Sequence, residues 1–171
     1  MLERLHQRGG RMLYTPMSRE RHLYILSDVK RSVTAAGLTP RWPQDHNPDW
    51  SIPHLVYLAC PNDQVRRAYA MASFEARWLR GEDIWQWSAA EAALRSCLAE
   101  VQVAAVLSHA RSAAIDNAAL DVLYSAYMDD VFGVPFLIVG REKFWGNDRI
   151  EQFVAAHDAA LEREKKREHS Y

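Results

Sequence analysis

The chain has 171 residues, which at roughly 100–200 residues per domain suits one compact fold, or one small fold carrying a large insertion, rather than two full domains. Its 21 Lys+Arg and 22 Asp+Glu leave a formal net charge of −1, so no global basic field draws it to nucleic acid and no acidic excess points to disorder. A hydrophobic content of 49% with only 7 Gly and 7 Pro excludes collagen-like and low-complexity chains.

No apolar stretch approaches the about 18 residues of a membrane span, and the opening MLERLHQRGGR has no hydrophobic signal region, so a cytoplasmic protein with no membrane or nucleic-acid partner is expected. Leu2, Leu5 and His6 share a helical face that Gly9-Gly10 ends, and Arg11–Thr15 then alternates like a strand, closed by Pro16. A helix this short is marginal alone and normally packs on a preceding element. From Ser18 to Ala36, Leu23, Leu26, Val29 and Val33 step by three and four, with Gly37 placed for a left-handed cap. Residues 38–50 hold Pro40, Pro43 and Pro48, predicting a long loop, and a short helix begins near Ser51. Asn62 is placed to cap a helix through Val65, Tyr69, Phe74 and Trp78 that stops at Gly81. Ser88-Ala-Ala-Glu91 reads as a capping box opening a helix that buries Leu94 and Leu98. Helices are expected at 101–110 and 114–130, the second with Ile115, Ala119 and Leu123 on one side. At Phe132 the pattern changes: Gly133-Val134-Pro135 leads into Phe136–Val139, typical of a buried strand. After Gly140-Arg141-Glu142 comes a brief strand, Lys143–Trp145. Gly146-Asn147 then opens a last amphipathic helix carrying Ile150, Phe153, Val154 and Leu161, with a mixed-charge tail to His169.

Cys60 and Cys97 stand far apart and outside any CxxC, the habit of small buried hydrophobes. Asp45, His46 and Asp49 match no metal-ligand spacing, so no metal is assigned. Trp42, Trp50, Trp85 and Trp87 are candidates for core or loop anchors, or for the walls of an aromatic-substrate pocket.

The order helix, strand, helical block, Pro-strand, turn, strand, helix supplies most of a thioredoxin-like sheet. The run Val131-Phe-Gly-Val-Pro-Phe-Leu-Ile-Val-Gly-Arg-Glu-Lys-Phe-Trp-Gly-Asn-Asp-Arg-Ile150 resembles the C-terminal signature of 2-hydroxychromene-2-carboxylate isomerases and kappa-class glutathione transferases. Arg21-His-Leu-Tyr24 with Asp28, Gly37-Leu-Thr-Pro40, and Phe74 through Gly81-Glu-Asp-Ile84 are similar to the inserted helices of that family. The resemblance implies an α/β, thioredoxin-like fold with a large all-helical insertion and the first strand missing from this chain: 1–17 and 132–171 form the partial thioredoxin-like domain, 18–131 the insertion.

It further implies glutathione as cofactor. Val134-Pro135 is a candidate cis bond, X-Pro being the one type in which that isomer is cheap. Val134 would pair through its backbone with the cysteinyl part of the tripeptide. Gly146, Asn147 and Asp148 would clamp the γ-glutamyl end, with Asp148 near its ammonium, and Arg21 would meet the glycine carboxylate. The family's Phe-x-Ser-Pro-x-Ser turn, whose first serine activates the thiol, has no counterpart here, since Ser18 follows the predicted strand; no catalytic residue is assigned.

The expected activity is a glutathione-dependent isomerase of aromatic catabolism acting on a small aromatic or unsaturated organic acid, with a homodimer expected. The alternatives are a kappa-class glutathione transferase, a non-catalytic thiol-binding remnant, or a disulfide oxidoreductase lacking its active-site segment.

Overall fold

The computed structural model describes residues 1–14 and 16–168. Thr15, at the end of the expected first strand, and His169 of the charged tail lie outside the described residues. The chain divides into two compact units, one of residues 17–123 and the other joining 1–16 to 124–171.

The unit of residues 17–123 is helical. α1, Leu2–Gln7, belongs to the other unit, so the first helix here is α2, Arg19–Ala35. Its N-cap Ser18 accepts the Arg21 N–H at 3.3 Å, and Gly37 closes it at φ 73°, a left-handed conformation that glycine adopts without steric cost. Its stripe of Leu23 and Val29 stays exposed. α3, Ser51–Ala59, starts where the Asp49 carboxylate accepts the Ser51 N–H at 3.0 Å and ends at Cys60-Pro61. Asn62 caps α4, Asp63–Glu75, by accepting the Val65 N–H at 3.0 Å. The helix then widens into a π-helical turn, Ala76–Arg80, which Gly81 ends at φ 75°. α5, α6 and α7 follow at Trp87–Arg95, Glu100–Ala110 and Ala113–Met128.

The helix of the expected capping box begins earlier than Ser88. Gln86 occupies the cap position with no side-chain bond, and Glu91 instead pairs with Arg95, one turn on, at 2.7 Å. The i,i+4 pair satisfies the glutamate within the helix. The box function appears at the next helix, where the Gln102 side chain accepts the Ala99 N–H at 3.2 Å. Val56, Tyr69, Leu94, Val103 and Ala110 form the core of this unit. Leu98 is half-buried beside it.

The other unit contains α1, Leu2–Gln7, whose Leu5 is fully buried. Residues 11–14 form no ladder among the described residues, so the expected strand is not seen. Alternation prepares a strand but does not supply a partner, and strand structure requires one. The end of α7 is set by Asp130 at φ 57°, with the Val131 N–H reaching back to the Ala126 carbonyl at 2.9 Å. β1, Phe136–Val139, and β2, Glu142–Trp145, pair antiparallel in the register Phe136↔Trp145, Leu137↔Phe144 and Val139↔Glu142. The linking residues are Gly140-Arg141, and Gly140 holds the positive φ of 59° that a type II′ turn needs at its first central position.

A short 3-10 turn, Asn147–Arg149, leads into α8, Ile150–Glu168. α8 packs on one face of the hairpin, with Phe153 edge-on to Phe144 at 5.9 Å. The expectation of a buried strand is therefore half met: β1 is half-buried and Ile138 is exposed, because α8 covers a single face. Ile150, Val154 and Leu161 of α8 are exposed as well. Among the described residues no helix is long and apolar enough to cross a membrane.

Candidate functional site

The site is built on the turn that enters β1. The Val134-Pro135 peptide is cis, as the sequence suggested. Val134 is 86% exposed, and no backbone–backbone hydrogen bond among the described residues uses its N–H or C=O. The Pro135 carbonyl accepts the Gly146 N–H at 3.1 Å. That bond, with the Phe136↔Trp145 pairing next to it, places the Pro135 turn directly beside the start of the 3-10 turn. The two sequence-distant pieces of the expected cradle therefore meet.

The backbone conformation at this junction requires glycine at position 146. Its φ of 108° and ψ of 157° lie in a region nearly confined to glycine, and a Cβ there would come within 2.6 Å of Asp148 Oδ1. The carboxylate of Asp148 thus folds back over the glycine. It is 74% exposed, with the Arg149 guanidinium 3.4 Å away. Asn147 opens the turn and is exposed. On the far side of the hairpin, Lys143 Nζ bonds Asp130 Oδ2 at 2.9 Å, tying β2 to the end of α7.

Val134, Pro135, Gly146, Asn147 and Asp148 thus come together within one unit. Arg21 belongs to the other unit, exposed in the first turn of α2. Two further arrangements have no counterpart among those expected from the sequence. One is an aromatic trio on the hairpin face opposite α8, in which Phe132 meets Phe136 edge-on at 5.4 Å and Trp145 at 4.9 Å. The signal available for it was a glycine next to one aromatic, Phe132, with two more at the paired strand positions Phe136 and Trp145. The other lies in the helical unit, where Arg77 grips Asp45 through two hydrogen bonds of 2.7 and 2.6 Å. Trp50 and Trp78 lie 5.0 and 5.3 Å from that guanidinium, and Trp42 stands edge-on to Trp78 at 5.9 Å. Trp87 lies beneath Arg111 at 3.9 Å. Trp42, Trp50 and Trp87 therefore act as loop and helix anchors.

The family model of the DSBA-like thioredoxin domain matches residues 5–158. The chain belongs to the DSBA-like thioredoxin family. A solved structure of a 2-hydroxychromene-2-carboxylate isomerase is similar to this chain with a TM-score of 0.68 and 21% identity, over 89% of this chain and 74% of that one. At that identity the likeness is one of fold. No curated protein matches the sequence. The fold is accordingly thioredoxin-like, with a small two-stranded sheet among the described residues and a large helical insertion.

Redox chemistry in a thioredoxin-like fold needs a thiol of lowered pKa in a partly exposed, electropositive place. Cys60 is the reverse case. Burial pushes its thiol up to about 11, and its Sγ donates to the Val56 carbonyl at 3.3 Å. Burial raises the pKa of half-buried Cys97 too. Both residues belong to the helical core or pack against it. Native protein treated with a thiol-reactive disulfide reagent near neutral pH is expected to label Cys97 first and Cys60 only on unfolding. Fast labelling of Cys60 in the native state, followed by peptide mapping, would contradict this assignment.

Proposed function

We propose that this chain binds glutathione and serves a glutathione-dependent isomerisation of a small aromatic or unsaturated organic acid. The observation that carries the reading is the bond from Gly146 N–H to the Pro135 carbonyl, which ties the turn that follows Val134 to the turn that carries Asp148. The residues present fit the tripeptide. Val134 offers one N–H and one C=O without a backbone partner, the complement of an extended cysteinyl unit added in strand fashion. The exposed carboxylate of Asp148 complements an ammonium. The fold likeness to a 2-hydroxychromene-2-carboxylate isomerase is what suggests isomerisation as the reaction.

When bound, glutathione supplies a thiol nucleophile for addition to an unsaturated system and later elimination. The chain's own part is to hold the cysteinyl backbone against Val134, to orient the γ-glutamyl end through Asp148 and Asn147, and to keep both elements in fixed relation through Gly146. Neither of its two cysteines supplies the nucleophile.

Calorimetric titration of the chain with glutathione tests this directly. Asp148→Ala is expected to weaken binding at least tenfold, the consequence of losing about 1.5–3 kcal/mol from a charged hydrogen bond, while Asp148→Asn retains part of the affinity. Binding of equal strength in the wild type and both variants removes Asp148 from the site, and no heat in the wild type removes the whole reading.

A further inference from the structure

Resting on the glutathione reading above, we infer that Trp145 is a positioning residue for the tripeptide, acting through the Gly133-Val134 peptide. Three observations carry this. First, the chain passes so close to the indole at Gly133 that a Cβ there would lie 2.8 Å from Trp145 Nε1 and 3.3 Å from Cε2. An aromatic ring is rigid, so it cannot give way as the far end of a lysine could; the residue immediately before Val134 must therefore be glycine for the backbone to lie where it does. Second, the indole is itself fixed. Phe132 meets it at 4.9 Å and 67°, and Phe132 is in turn edge-on to Phe136 at 85°, the residue paired with Trp145 across the ladder. Edge-to-face pairs of this kind hold orientation as well as burying area. Third, the main chain of Trp145 precedes Gly146, whose N–H holds the Pro135 carbonyl. The peptide flanking Val134 is thus held on its N-terminal side by the Trp145 ring and on its C-terminal side by the residue that follows Trp145 in the chain.

Trp145 consequently bears on both sides of Val134, through its ring at Gly133 and through its place in the chain before Gly146. Trp145 is also 44% exposed, on the hairpin face that α8 leaves open, so the indole reports on a ligand seated at Val134. Simple packing would explain the contact with Phe132. It would not explain why the ring lies where a Cβ on Gly133 would meet it, at the residue adjoining Val134, whose N–H and C=O have no backbone partner among the described residues.

The test uses the full chain, glutathione as probe, and the indole N–H signals in a nitrogen-15 correlation spectrum. The signal missing from the Trp145→Phe spectrum identifies Trp145, and in the wild type that signal is expected to shift on glutathione addition together with the Val134 amide. Gly133→Ala is expected to weaken glutathione binding about tenfold, the loss of roughly one backbone hydrogen bond. Combining it with Trp145→Phe, which removes Nε1 and the ring edge that the new methyl meets, restores most of the affinity. A Trp145 signal that stays still while the Val134 amide moves overturns the inference and leaves the glutathione reading intact. So does a Gly133→Ala variant of unchanged affinity, or a double variant that recovers nothing. If neither signal moves and no heat is released, both fall. The wild-type spectrum decides even where Gly133→Ala fails to fold.

Discussion

Asp45→Ala is expected to destabilise the helical unit by about 3 kcal/mol, the effect of leaving a nearly buried guanidinium without its counter-ion. The Arg77 side chain is 7% exposed, and Asp45 lies 2.6 Å from it. Two tryptophan rings flank the charge, so water cannot readily replace the carboxylate. The pair holds the loop of residues 38–50 to the π-helical turn, helped by the Arg41 N–H on the Trp78 carbonyl at 2.7 Å. Urea unfolding followed by tryptophan fluorescence measures the loss. Replacing both partners, Arg77→Met with Asp45→Leu, is expected to recover most of it, because the desolvation penalty then disappears with the charge. A loss below about 1 kcal/mol for Asp45→Ala would place the pair with ordinary surface ion pairs. The guanidinium also holds the Asp45 carboxyl below its ordinary value of 3.8. Because the folded pKa is the lower one, the pair's contribution is complete above pH 3.8 and fades as the pH falls from there through the folded value.

The second large effect is expected at Leu94, which is fully buried in the core that Val56, Tyr69 and Val103 share. Leu94→Ala should cost about 3–4 kcal/mol, combining lost transfer energy with the cavity left among side chains held by four helices. Leu94→Met, nearly the same volume, should cost less than about 1.5 kcal/mol. Urea midpoints of the two variants separate the outcomes. Similar small losses for both would mean that the helices collapse onto the gap, a looser core than the burial indicates.

What the sequence disclosed follows from where each signal resides. Helices with local start or stop signals were legible: Asn62, Gly37 and Gly81 each act within one turn of their own position, and the structure uses all three. The hairpin and its proline were legible because their pattern is local and tightly bounded. Arg11–Tyr14 was not, since alternation carries no information about whether a partner strand exists. Ser88 misled for a different reason: a capping-box spacing is equally a helical i,i+3 spacing, and Glu91 has a better partner in Arg95.

In the candidate site, Val134, Pro135, Gly146, Asn147 and Asp148 were named from a contiguous signature, and the hairpin register brings them together. The Asp45–Arg77 grip joins residues 32 apart in the chain, which no local pattern encodes. The role of Trp145 was equally hidden. It depends on a backbone passing close to a ring, a relation visible only in three dimensions.

The two-residue connection at Gly140-Arg141 sets the parity of the hairpin. With it in place, Phe144 faces α8 while Trp145 faces away. Adding or deleting one residue there would exchange those roles, turning the indole into the helix interface and carrying Phe144 to the open side. Stability and ligand geometry therefore share one counting rule in this hairpin, and a length change at its tip would damage both at a stroke.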